Sequence, residues 1–369
     1  MNSRSENDKP RRILIIRLSS IGDVVRTLPA LTSLRRQYPG SHIAWAVEDK
    51  SSSILEGHPD LDELLVFERK KIAGLLKHPL CFFEGLSLLA RFLGKIRGAG
   101  YDLVFDFHGI LKSGLIAAFT CSPSRVGFAK DFVKEFNHLF TNRKIIPSDA
   151  RLPRVTRNLE LIRPFVSGEN TAEKPVIGIA GNHREKARAF MTEKFGDHHP
   201  LVAVHPGTSR DIKKWSARSF AMVCDMVAES LDAKVVLTWG PGELGEAELI
   251  CSLAKTRPEV GMQTDSLFEL AAILEACDLM ITVDSGPMHI GSAVGTPVIA
   301  IFGPTDIQVN SPHWQPYEIV SSNMECSPCD ENCDFAKCMG AVAPEAVLAA
   351  ARKLLIHTNA TKPRESSNP

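Results

Sequence analysis

No apolar run in this 369-residue chain reaches the roughly 20 residues that a membrane-crossing helix needs. The opening MNSRSENDKP has no apolar signal region. Together these absences predict a cytoplasmic protein without a transmembrane segment, any membrane association being peripheral. No G-x-G-x-x-G follows the first strand of either half, which leaves a nicotinamide dehydrogenase unsupported. No G-x-x-x-x-G-K-[ST] is present either, so the chain has no Walker loop. Internal repeats of solenoid period and low-complexity tracts are also missing. Net charge is absent too, with 43 Lys+Arg against 43 Asp+Glu.

That neutrality hides an asymmetry. Residues 1–200 hold 31 Lys+Arg against 22 Asp+Glu, and residues 201–369 hold 12 against 21. A basic first half suits an anionic partner: a phosphate, a carboxylate sugar or an acidic lipid surface. It reads equally well as an ordinary solvated face. No nucleic-acid partner is expected. At 44% hydrophobic and 23% charged residues, the composition is that of a globular protein long enough for two domains.

Apolar strand-like runs alternate with helical ones along the chain. Strands are predicted at 13–17, 42–47, 63–67, 102–107, 124–128, 201–205, 234–238, 279–283 and 297–302. Helices are predicted near 24–37, 82–97, 217–231, 244–255, 267–277 and 287–294, with another after Gly109. Such alternation implies parallel sheets with helices on both faces. The simplest architecture is two doubly wound α/β domains with a cleft between them. The stretch 165–200, which mixes SGENTAEKP with a charged run, is the best linker. The expected division is 1–175, 176–342, a C-terminal helix over 343–358 that packs back on the first domain, and a disordered tail over 359–369.

In parallel sheets, ligands sit beyond the carboxyl ends of strands, so the residues there matter most. After the first strand comes SSIGD: Ser19, Ser20 and Gly22 make a tight turn, and Asp23 opens a helix. That aspartate is either a helix cap or a base at the sheet's mouth. After the 201–205 strand comes HPGTSRDIKKW, where Thr208, Ser209 and Lys213 are parts for holding a pyrophosphate. After 279–283 comes DSGPMH, in which Asp284, Ser285 and Gly286 start a helix whose amides favour phosphate, with His289 in its first turns. After 234–238, Glu243 or Glu246 is placed to accept from ribose hydroxyls, or to serve as an ordinary first-turn carboxylate. Cys326, Cys329, Cys333 and Cys338 have a C-x2-C-x3-C-x4-C spacing that could supply four thiolates to Zn²⁺, or that leaves free thiols or a labile disulfide.

In order, RLSSIGDVVRTLPAL, YDLVFDFHGILKSG, HPGTSRDIKKW and DSGPMHIGSAVGTPVIAIFGPTD resemble the motifs of glycosyltransferase family 9, the lipopolysaccharide heptosyltransferases. The resemblance runs from Ile13 to about Leu355, and the cysteine segment resembles the family's second-heptose branch. It implies a GT-B fold, two Rossmann-like domains facing a central cleft, with the acceptor on the first and the nucleotide sugar on the second. It implies inverting transfer from ADP-L-glycero-D-manno-heptose to the lipid A–core acceptor at the inner face of the inner membrane, with no metal and no cofactor. Asp23 then matches the general base and Lys213 the lysine on the donor phosphates. Thr208, Ser209, Asp284, Ser285, Gly286, His289 and one of Glu243 and Glu246 fall around the donor. Ser19, Ser20, Gly22, Lys112 and Arg125 fall to the acceptor. His108 departs from relatives that have glutamine there. The segment 70–97, weakly matched and both basic and amphipathic, reads as a helix packed on the sheet or as an acceptor- or membrane-facing insertion. Other expected readings are a family member using another nucleotide sugar for O-antigen, capsule or glycolipid, and a nucleotide-sugar epimerase on the same fold.

Overall fold

The computed structural model describes residues 10–168, 172–329, 333 and 336–361, with side chains of the last helix described through residue 356. The chain divides into two compact units, one ending at Gly178 and the other beginning at Ile179.

In the first unit, six strands form one parallel sheet. They are β1 (Arg12–Ile16), β2 (His42–Glu48), β3 (Glu63–Phe67), β4 (Leu103–Asp106), β5 (Ser124–Phe128) and β6 (Arg143–Ile145). Their spatial order is β3-β2-β1-β4-β5-β6. The central strands are Ile, Leu, Val and Ala runs because helices cover both faces: Ile13 to Ile16 have no exposed surface. The chain moves outward from β1 to β3, then returns to start β4 on the other side of β1. The switch point therefore lies between β1 and β4.

The second unit repeats the plan. Its strands are β7 (Leu201–His205), β8 (Lys234–Leu237), β9 (Glu259–Val260), β10 (Leu279–Val283), β11 (Val298–Phe302) and β12 (Tyr317–Ser321). The order β12-β11-β10-β7-β8-β9 is again wholly parallel. Its switch point lies between β7 and β10. On one face Val202, Val204, Leu279, Ile281, Val283, Ile299 and Ile301 make a core with the helix Ala217–Leu231 and the last helix. The last helix runs Pro344–Thr361, and its Val347, Ala351 and Leu354 are committed to this second-unit core, where packing on the first domain was expected. It extends past the expected end at 358, and residues 362–369 of the expected tail lie outside the described residues.

Three differences from the sequence reading have clear causes. The first expected helix is two, Ile21–Val25 and Leu28–Gln37, because the chain resets at Thr27 ahead of Pro29. The expected linker contains a 15-residue helix, Gly181–Phe195. Its periodicity is masked by charge: only Ala187 and Met191 are buried, while Lys186 and Arg184 pair with Glu269 and Glu275 of the helix Leu267–Glu275, both at 2.6 Å. The strands β6, β9 and β12 are short or partly exposed edge-ward strands without a continuous apolar run.

Ile281 has no exposed surface and sits at the centre of the second sheet. Ile281→Ala should lower unfolding free energy by about 3 kcal/mol, read as a fall in the urea midpoint with unchanged slope.

Candidate active site

β1 ends in the turn that delivers Asp23. Ser20 is the N-cap of the helix Ile21–Val25, and Asp23 reaches back to it. Ser20 donates to Asp23 Oδ2 from its backbone N–H at 3.3 Å and from its hydroxyl at 3.1 Å. Asp23 therefore closes the cap with one oxygen while the other is free to take Arg26 at 2.7 Å. Its carboxylate also takes Arg17 at 2.5 Å and Arg26 at 2.7 Å. Arg17 is further fixed by donating to the Phe107 carbonyl at 2.6 Å. Burial pushes the Asp23 pKa upward. The charges of Arg17, Arg26 and Arg154, with the Arg17 hydrogen bond, outweigh it and hold the carboxyl well below the usual carboxylate range.

One of the arginines acting on this carboxylate, Arg154, comes with its neighbour Arg157 from the helix Arg154–Ile162, some 130 residues downstream. Burial lowers the Arg154 pKa against the pull of Asp23, and Arg26 and Arg17 lower it further. Burial and then Arg154 and Arg17 bring Arg157 down to about 10. Arg157 lies 4.5 Å over the Phe128 ring and donates to the Phe132 carbonyl. Neither residue was singled out from the sequence. Distance along the chain hid them.

The loop after β4 completes this side. Asp106 is buried and accepts from the His108 and Gly109 backbones, from Ser113 and from Asn137. Burial raises its pKa despite these donors. The loop so fixed carries His108, whose Nδ1 accepts the Leu18 N–H at 3.2 Å and leaves the ring proton on Nε2. Burial first, then the charge of Arg17, push the His108 pKa down to about 3. Lys112 pairs with Glu48 at the end of β2.

Arg125 is not brought to this place. It lies at the amino end of β5, where its guanidinium donates to the carbonyls of Phe140 at 2.9 Å and Ser122 at 2.6 Å. In a parallel sheet that is the end opposite Asp23. The sequence showed a basic residue on a strand but not which end of it.

In the second unit, four strand ends converge. Lys213 pairs with Asp284 at 2.7 Å, and both side chains are mostly buried. Thr305, after β11, donates to the same Asp284 oxygen at 2.7 Å. It was not singled out, although the strand-end rule that found Asp284 applies equally to FGPTD. Ser285 caps the helix Gly286–Val294, whose first-turn amides face the carboxyl edge of the sheet. Thr208 stands close by, within 3.4 Å of the Asp284 carbonyl, and Ser209 is exposed on the same loop. His289 is buried in the helix. Of the two glutamates, Glu243 accepts the Gly240 N–H at 2.8 Å, lies 3.9 Å from His205 Nε2, and covers Gly207. A Cβ at Gly207 would come within 2.3 Å of its carboxylate. Glu246 lies in the following helix, Leu244–Leu253, and burial raises its pKa.

All described cysteines are free thiols, with Cys326 and Cys333 exposed and Cys338 buried. Among the described residues no group of three or more His, Cys, Asp or Glu side chains is placed to hold a metal ion.

The model of glycosyltransferase family 9 (heptosyltransferase) matches residues 89–339. Lipopolysaccharide heptosyltransferase 1 of Campylobacter coli is 28% identical over 310 residues, covering 80% of this chain and 84% of that protein. Lipopolysaccharide heptosyltransferase 3 of Escherichia coli K12 is 26% identical over 351 residues, covering 90% and 95%. Among solved structures, a family 9 glycosyl transferase from Veillonella parvula superposes with a TM-score of 0.78 at 24% identity, covering 94% of this chain and 97% of that one. The E. coli heptosyltransferase WaaC with ADP gives 0.72 at 23%, covering 93% and 99%. At such identities the structures show the fold, the two-sheet α/β architecture of GT-B enzymes.

Asp23→Asn should cost about 3 kcal/mol at pH 7 by leaving two buried guanidinium groups without their counter-charge. A carboxyl with a depressed folded-state pKa stabilises fully above its unfolded pKa, and that stabilisation is lost as pH falls through the folded value. The gap between wild type and variant should therefore be constant above about pH 5 and close below about pH 4, as measured by urea unfolding across that range.

Proposed function

Since this chain belongs to glycosyltransferase family 9, we propose that it transfers heptose from ADP-L-glycero-D-manno-heptose to the inner core of lipopolysaccharide, inverting the anomeric centre without a metal. The observation that carries this reading is a division of chemistry. An ionised carboxylate stands at the switch point of one sheet, and a lysine, hydroxyls and a helix start stand at the switch point of the other. A displacement at an anomeric carbon needs one proton acceptor and one stabilised leaving group.

In this reading Asp23 receives the proton of the acceptor hydroxyl. The hydroxyl oxygen bonds to the anomeric carbon on the face opposite ADP, and the bond from that carbon to the ADP oxygen breaks. Lys213, the hydroxyls of Thr208 and Ser209 and the amides at Gly286 take up the charge on the departing phosphate. Asp284 and Thr305 hold Lys213 in position. Glu243 contacts the ribose; its place over Gly207 favours it above Glu246. Ser19, Ser20, Gly22, Lys112, Arg154 and Arg157 surround the acceptor, whose phosphates and carboxylates suit this basic surface. The acceptor's lipid brings the enzyme to the inner face of the inner membrane.

A carboxylate held so far below its usual pKa is a weak base. It suffices because the transition state resembles an oxocarbenium ion. As the acceptor oxygen bonds to that carbon its proton becomes strongly acidic, so transfer comes late and needs position more than basicity.

Purified protein with ADP-heptose and truncated lipid A–core acceptors should release ADP only when an acceptor is present. Release at equal rates without acceptor, or with none of the acceptors, defeats the reading. Asp23→Asn should lower kcat by about 10²- to 10⁴-fold while donor affinity stays within about twofold. Because Asp23 remains ionised, kcat/KM should show no acid limb from it above about pH 4.

A further inference from the structure

The helices Arg69–Lys77 and Phe82–Gly98 meet at an elbow bent by 116°. The far end of the second helix is anchored. Phe92 and Ile96 pack with Leu65 and Tyr101, and the Phe92 ring lies 4.9 Å from Phe67. The near end is not. Leu80 is 90% exposed and Phe83 80%, with Phe82 and Leu86 exposed beside them. Four large apolar side chains within seven residues of a bend exceed the scattered surface hydrophobics of an ordinary fold. Gly85 lets the two helices cross closely, since a Cβ there would stand 3.0 Å from Leu75 Cβ and the Leu76 backbone. The elbow is thus a packed element with its apolar tip turned outward.

Charge surrounds that tip. From Arg69 to Arg97 there are seven Lys and Arg against one acid, Glu84. Arg69, Lys71 and Lys95 reach carboxylates of Glu48, Glu68 and Glu63. Lys70, Lys77 and Arg91 pair with no carboxylate among the described residues. Lys70 comes near enough to Lys50 to press its ammonium pKa down, a sign of positive charge in excess. By length and composition the helix pair resembles a membrane span, though its bend prevents one straight rod, and no single described helix is long and apolar enough to cross a membrane.

We propose that this elbow is a membrane-docking tip, in which Leu80, Phe82, Phe83 and Leu86 enter the acyl boundary of an anionic bilayer while Lys70, Lys77 and Arg91 meet its headgroups. Apolar aromatics beside unpaired cations are the complement of an anionic lipid surface. An apolar protein groove would leave those charges without partners. The inference deepens the proposed function and rests on it for the source of the membrane, a lipid-anchored acceptor.

The test is co-sedimentation of the full chain with vesicles of phosphatidylcholine mixed with phosphatidylglycerol, and with pure phosphatidylcholine vesicles. Wild type should bind the anionic vesicles, bind neutral ones weakly, and lose affinity as salt rises. Leu80→Glu/Phe83→Glu should bind at least about tenfold more weakly, with thermal midpoint and turnover on a soluble, deacylated acceptor unchanged. Equal binding by the variant overturns the proposal, as does absence of wild-type binding. So does a wild-type dimer in vesicle-free solution that the variant loses, because a second copy then covers the tip. Loss of turnover on the soluble acceptor also overturns it, by making the elbow part of the acceptor site. Vesicle binding does not depend on turnover, so failure of the heptosyl reading registers separately as absent ADP release.

Discussion

A single carboxylate makes the inside of the first unit habitable for its arginines. Arg17 and Arg26 have little exposed surface, and both are held by Asp23. Buried guanidinium groups without a counter-ion would cost more than the surrounding packing returns. Asp23 therefore fixes the end of β1, through Arg17 and the Phe107 carbonyl the end of β4, and through Ser20 the start of a helix. The loops on both sides of the switch point are tied to this charge. Under the proposed function, structure and chemistry share one residue here, so a substitution that tests either role disturbs both.

The second unit solves a similar problem with less charge. Its focus is the Asp284–Lys213 pair, with Thr305 saturating the carboxylate oxygen that Lys213 uses. A lysine so held is a point charge at a fixed place. The helix Gly286–Val294 adds peptide dipoles that need no side chain. Both units thus place rigid charge at the carboxyl edge of a sheet whose strands are too buried to move.

The sheets were legible because full burial on both faces writes strands as unbroken apolar runs: Leu201–His205 and Leu279–Val283 were read to the residue. Elements lacking that signature were missed. Helix Gly181–Phe195 buries few residues and relies on ion pairs, and β9 has two residues. The place of Asp23, Lys213 and Asp284 at the carboxyl ends of strands was legible because each follows soon after an unbroken apolar run. Arg154 was not, because its helix lies far along the chain and no local pattern links it to Asp23. Arg125 illustrates the opposite failure: its charge was visible, but its place at the amino end of β5 was not.

Gly207 and Glu243 occupy one volume between them: the space where a side chain at 207 would begin is filled by the carboxylate of 243. These positions are 36 apart in sequence, yet a side chain at 207 would have to displace the carboxylate of 243. A larger residue at 207 would push that carboxylate, the flexible end of its side chain, off the Gly240 N–H it accepts at 2.8 Å. The loop after β7 and the loop after β8 are therefore coupled through one contact.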